Sequence, residues 1–271
     1  MATSDTPPLT DEKRERLVRE ALQSSTTGRV RHCANHAFHH LERAAQLVDI
    51  DPEMAMLRAI TAEEEAATAV FLSLKQRRYP NAELLQLRSH PHKLGLYIFV
   101  SEVRNFFASV SHQFPPMRLL LKEVEGGSRL IWQLLAPDGR WAEPDTPFNF
   151  LVSDASPSQP YHFERQLEEL ANRIADGDIK DYIVTTANTR NLLLYADDDG
   201  LPAVVGGVDE TLKAQRERVV TLCMVACMIA PYKERALFVM QALNAFLSMM
   251  GKIDKEALAE ISYKAEIRSH E

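Results

Sequence analysis

Apolar positions recur at three- and four-residue spacing along most of this chain, a pattern that predicts long amphipathic helices. Residues 11–23 read as a charged amphipathic helix and residues 30–48 as a second. Asp51-Pro52 opens a third, since aspartate is a good N-cap and proline suits the first helical turn. That helix runs to about Arg78 and stops before Pro80. A short helix follows over 82–87. Pro91 starts another long one, which ends near His112 and is closed by Phe114-Pro115-Pro116. Residues 117–125 read as a short helix ended by Gly126-Gly127.

The pattern then changes. Residues 130–135, the turn Pro137-Asp138-Gly139 and Trp141 read as a strand pair around a turn. Residues 144–160, rich in proline, serine and aspartate, read as loop, and 162–176 as a helix. Residues 192–195 and 203–205 flank Asp198-Asp199-Gly200 as a second hairpin. Long helices return over 209–228 and 233–250. The fold class is therefore mainly α, a helical bundle with a small α/β insertion in the middle of the chain. Its parts are an N-terminal helical segment (8–125), the insertion (126–207) and C-terminal helices completing the bundle (208–267).

Composition narrows the function classes. A hydrophobic fraction of 45% in 271 residues supports a real core and argues against global disorder. A net charge of -7 argues against a general DNA coat but leaves room for a local basic face. Three cysteines, an odd number, fit a reduced cytosolic protein better than a disulfide scaffold. Cys223 and Cys227 lie in an apolar helical run and read as core. No targeting segment is evident in the polar first ten residues. The longest apolar run, 219–230, is too short to span a bilayer. A cytoplasmic protein that does not engage a membrane is expected.

Three segments carry candidate chemistry. The first is the acidic triplet Glu63-Glu64-Glu65 inside an otherwise apolar helix. At roughly 100° per residue, Glu63 and Glu64 fall at or beside the packed seam and Glu65 faces water. A buried carboxylate there either pairs with an arginine or backbone donors, or positions a catalytic group or metal. The second segment is the helix 30–48, with an apolar stripe of Val30, Ala34, Ala37, Leu41, Ala44 and Val48. Its opposite side gathers His32, His36, His39, His40, Arg29 and Arg43. This face suits a solvated surface, acid–base work on a phosphodiester or, with Glu63 or Glu64, a shared metal. The third is His90-Pro91-His92-Lys93, where His90 and Lys93 meet Glu63 or Glu64 if their helices pack antiparallel.

The run Ala59-Ile60-Thr61-Ala62-Glu63-Glu64-Glu65-Ala66-Ala67, followed by His90-Pro91-His92-Lys93-Leu94, resembles the abortive-infection V (AbiV) family, one of the HEPN-like helical domains. Glu63, Glu64, His90 and Lys93 match its A-x-E-E helix and H-x-x-K element. The match covers about residues 29–112. The resemblance implies a HEPN-like bundle and a cytosolic bacterial anti-phage role, as a homodimer acting on RNA or on a phage or host protein. Many HEPN-like domains are metal-independent ribonucleases with an Arg-x(4–6)-His motif. Here Arg29 and Arg31 each satisfy that spacing to His36, but in the helix before the acidic one, where the motif is not expected, whereas Arg104 and His112 in the expected later helix have seven residues between them. The candidate catalytic set is therefore Arg31, His36, Glu64, His90 and Lys93, with no resident cofactor or metal. The alternatives are a metal-independent ribonuclease with His36 as acid or base, and a metal-binding bundle using His32, His36, His39 and Glu64.

Other chemistries find little support. Gly126-Gly127 and Gly206-Gly207 lack the context and lysine of a phosphate-binding loop. There is no Gly-x-Ser-x-Gly elbow and no Cys-x-x-Cys pair. The run Asp197-Asp198-Asp199 reads as a solvated turn.

Overall fold

The computed structural model of the chain describes residues 9–153, 161, 163–174, 179–188, 190, 193, 195 and 207–253. The described architecture is mainly helical with one small antiparallel sheet. Its helices are α1 (Asp11–Ser25), α2 (Gly28–Leu47), α3 (Pro52–Gln76), α4 (His90–Ser109), α5 (Glu164–Ile174), α6 (Ile179–Ala187), α7 (Val208–Ile229) and α8 (Leu237–Met249). The strands are β1 (Met117–Val124), β2 (Gly127–Leu135) and β3 (Trp141–Ala142).

Local chemistry sets the helix starts. Thr10 caps α1 by accepting from the Lys13 amide, and Asp51 caps α3 by accepting from the Met54 amide at 2.9 Å. Ser89 caps α4 through the His92 amide, with Pro91 in the first turn. At the other ends, arginines take up orphan carbonyls. Arg77 donates through Nε and Nη2 to the Ala230 carbonyl just past α7, and Arg31 donates to the Thr26 carbonyl just past α1.

Helix α3 is the central element, with α2 and α7 packed along it and α4 folded back beside it. Its N-terminal half buries an alanine stripe of Ala55, Ala59, Ala62 and Ala66. Facing α2 is also small-sided at Ala34, Ala37 and Ala44, so the two backbones approach closely. The larger Leu57 and Ile60 in the same half of the helix lie only partly covered. From Ala66 to Leu74 every residue of α3 is buried. Phe71 anchors an aromatic core in which Phe246 of α8 stacks at a tilt on Phe71 and Phe99, with ring centroids 6.2 and 5.9 Å apart. Cys223 and Cys227 lie buried in α7, as their apolar setting predicts.

The sheet has order β1-β2-β3. The strand pair around Pro137-Asp138-Gly139 is present as β2 and β3. Residues 117–125, expected to be helical, instead form β1, paired to β2 from Met117↔Leu134 to Val124↔Gly127. The two-residue turn Glu125-Gly126 makes that register possible, with Gly126 at φ 87°. A side chain on Gly127 would meet the Ser24 backbone oxygen at 3.0 Å, so this glycine lets the hairpin sit against α1. Ser24 Oγ then donates to the Ser128 carbonyl at 2.8 Å. The sheet thus begins ahead of residue 126.

The helix expected over 162–176 is α5, and α6 is an additional helix. The expected second hairpin falls almost wholly outside the described residues, as do Asp197-Asp198-Asp199 and residues 254–267.

Phe71 is fully buried at the junction of α3 and α8. Phe71→Ala is expected to lower stability by about 3–5 kcal/mol, read as a shift in the urea unfolding midpoint at unchanged slope.

Candidate functional site

Three consecutive carboxylates on a helix point in three directions, about 100° apart. Each glutamate of the triplet meets a different neighbouring helix. Glu63 is buried and accepts from Arg218 Nη1 of α7 at 3.1 Å. Glu64 turns to the start of α4, where His90 Nδ1 lies 2.5 Å from Oε1 and Lys93 Nζ lies 3.7 Å from Oε2. Glu65 turns to α2, with His36 Nδ1 at 4.0 Å. It is partly covered beside Cys33 rather than facing water.

The Glu64 cluster joins segments far apart in sequence. Ser89, by capping α4, puts His90 at the first helical position and Lys93 one turn later on the same face. Arg190 completes the group: its Nη1 donates to His90 Nε2 at 3.1 Å. A guanidinium can only donate, so Nε2 presents its lone pair and the proton sits on Nδ1, against Glu64. Exposure separates the roles. Glu64 and Lys93 side chains are 13% and 12% exposed, whereas His90 is 41% exposed. The largely covered carboxylate and ammonium form a base on which the half-exposed imidazole stands between Glu64 and Arg190. Among the described residues the Nε of Arg190 is buried without a hydrogen-bond partner.

Glu63 is a different kind of group. Burial pushes its carboxyl above the usual range, against the pull of Arg218. Its Oε1 has no hydrogen-bond partner among the described residues. The Arg218 guanidinium also lies over the Tyr97 ring at 4.8 Å, so α3, α4 and α7 meet at this one arginine.

The histidine face of α2 divides. His32, His36 and His39 are exposed, but His40 is buried, contrary to its expected place on the solvated side. Its ring lies 4.3 Å from that of His36, and Nδ1 accepts from Arg58 at 3.3 Å. Burial, then His36, Arg58 and His39, depress its pKa to about 4, so it is neutral at pH 7. Cys33 is pushed up to about 11 by burial and by Glu65, which keeps it an unreactive thiol.

Of the five predicted site residues, the structure unites Glu64, His90 and Lys93. Arg31 and His36 do not join them. Arg31 is engaged with the Thr26 carbonyl, and His36 stands on the α2 face beside His40 and Glu65. Among the described residues no group of three or more His, Cys, Asp or Glu side chains is placed to hold a metal ion, so His32, His36, His39 and Glu64 form no such set. Nothing in the sequence pattern points to Arg190. It lies 100 residues beyond His90 and has no local motif around it. Among the described residues no helix is long and apolar enough to cross a membrane. The chain matches no protein-family model, no curated protein and no solved structure.

Two outcomes follow from the buried groups. Arg218→Ala leaves the Glu63 carboxyl unpaired and is expected to destabilise the fold by about 3 kcal/mol or more, with Glu63→Gln in the same chain restoring part of the loss; chemical denaturation at pH 7 measures both. His92 points away from the cluster into the core, edge-on to Phe246, with Nδ1 accepting from the Gln86 amide. Burial, with Lys252, lowers its pKa from 6.5 to about 4. The unfolded chain therefore binds this proton first as pH falls, and the stabilisation present above pH 6.5 is lost between 6.5 and 4. The slope approaches about 1.4 kcal/mol per pH unit for each such histidine. His92→Leu is expected to flatten the stability profile in that window relative to the parent protein, and a profile unchanged by the substitution would contradict the assignment.

Proposed function

We propose that this chain is an abortive-infection-type, HEPN-like protein that binds RNA, and that the cluster around Glu64 meets the phosphate backbone. The observation that carries this reading is a cluster of three donors around one largely covered carboxylate: His90 and Lys93 meet Glu64 directly, Arg190 joins through the His90 ring, and the imidazole is half-exposed. Glu64 balances part of the positive charge and fixes the donors in place. Among the described residues the Nε of Arg190 has no hydrogen-bond partner, and a phosphate oxygen would satisfy it in the planar geometry that guanidinium groups favour. In this reading the protein works in the cytoplasm as a homodimer.

A second reading, metal-independent RNA cleavage, is favoured by the Glu64–His90 contact. It orients the ring and holds the proton on Nδ1, which leaves Nε2 free to act as a base once Arg190 moves to phosphate. Nε2 would take the proton of a ribose 2′-hydroxyl while the 2′-oxygen attacks phosphorus. The bond to the 5′-oxygen breaks, and that oxygen takes a proton from solvent. The products are a 2′,3′-cyclic phosphate and a 5′-hydroxyl. Arg190 and Lys93 stabilise the charge on the phosphoryl oxygens.

The test is anisotropy of a labelled single-stranded RNA in EDTA, at several salt concentrations, with cleavage followed on gels. Arg190→Ala is expected to weaken binding about tenfold or more and to reduce the salt slope by roughly 0.7. If cleavage occurs, His90→Ala abolishes it and His36→Ala does not. Absence of RNA binding by folded protein, or binding indifferent to Arg190→Ala, sinks the RNA reading in favour of a phage or host protein partner.

A further inference from the structure

Helix α8 meets α3 and α4 through long aromatic side chains rather than by close backbone approach. Spacing of this kind leaves a gap wherever the side chains do not fill it. One such gap lies between α3, α4, α7 and α8, with a volume of about 200 Å³. Its floor is Phe71, Phe99 and Phe246, all buried. Along α4 and α7 the walls pass from buried residues to the half-covered Val103, Phe107, Met224 and Val225, so the pocket opens at the α4–α7 seam. Among the described lining residues Arg104, at that opening, alone carries a charge.

Arg104 is held there by Glu217 of α7, with Nη1 2.5 Å from Oε1. Both side chains are more than 40% exposed, and an ion pair so exposed contributes little to stability. A competing carboxylate can therefore take the guanidinium at small cost. The pocket is apolar enough to stay dry, and a cavity of about 150 Å³ already accepts benzene. The volume here suits a single ring or an unbranched chain of roughly six to eight carbons.

We infer that this pocket is a binding site for a small carboxylate-tipped apolar molecule, a medium-chain fatty acid or an arylalkanoic acid, whose body fills the α3–α4–α7–α8 gap and whose carboxylate displaces Glu217 from Arg104. The site shares no residue with the Glu64 cluster and stands whether or not that cluster binds RNA.

The probe is octanoate, titrated into the full chain by calorimetry, with octan-1-ol as the same chain lacking the charge. Octanoate is expected to bind saturably at one per chain and about tenfold or more tighter than octan-1-ol, the factor of a charge-assisted hydrogen bond. Arg104→Gln should bring octanoate down to the level of the alcohol. Ala242→Phe, which projects a ring into the gap from α8, should abolish binding of both. Val225→Phe does the same from α7 if the first variant fails to fold. Absence of saturable octanoate binding by the parent protein overturns the inference. So does binding that survives both filled variants in folded protein, or an alcohol that binds as well as the acid.

Discussion

A helix enclosed by other helices can carry charge only where a neighbour answers it, because an ionised group removed from water without a partner is strongly disfavoured. Helix α3 is enclosed in this way, and it carries three adjacent carboxylates. The rotation of about 100° per residue distributes them to α7, α4 and α2 in turn. Each contact specifies which neighbour lies on which side, something that an alanine stripe and a phenylalanine core cannot do alone. Apolar packing supplies the gross stabilisation, and the acidic triplet indexes the arrangement around it.

The three contacts differ in exposure and therefore in what they can do. Glu63 is locked within the packing against a partly covered Arg218, and burial resists ionisation of that carboxyl even beside a guanidinium. Glu65 and His36 sit 4.0 Å apart in a loose, partly wet contact. Glu64 is intermediate: it is largely covered, and its partner His90 is half-exposed with Arg190 on the opposite ring nitrogen. An acid–base group needs a fixed orientation behind, which Glu64 supplies, and access in front, which here depends on Arg190.

Much of this was legible in the sequence where the signal was local. Asp51-Pro52 and Ser89 with Pro91 marked helix starts through capping chemistry, and the apolar stripe of α2 followed from its spacing. The meeting of Glu64 with His90 and Lys93 was accessible because α3 and α4 are joined by a short connection and fold back on one another. Strand β1 was hidden because Met117, Leu119, Leu120, Leu121, Lys122 and Glu123 are good helix formers, and pairing with β2 overrides that preference. The aliphatic stripe alone places His40 on the polar face, but the buried arc of α2, which includes Cys33 and Phe38, is wider than that stripe. Arg190 and Arg218 reach α4 and α3 from 100 and 155 residues downstream, respectively, and spacing along a chain carries no information at that range.

That separation has a consequence for how the molecule is made. At roughly 5–20 residues per second, synthesis of the 155 residues between Glu63 and Arg218 occupies on the order of ten seconds or more. For most of that interval α1 to α4 are already made, but the helix that covers the third side of α3 is not. The nascent chain must keep its central helix wet, or shielded by a chaperone, until α7 emerges. Closure of the bundle thus waits on residues 208–249, and a ribosome stalled before that point leaves an N-terminal fragment whose core has no lid.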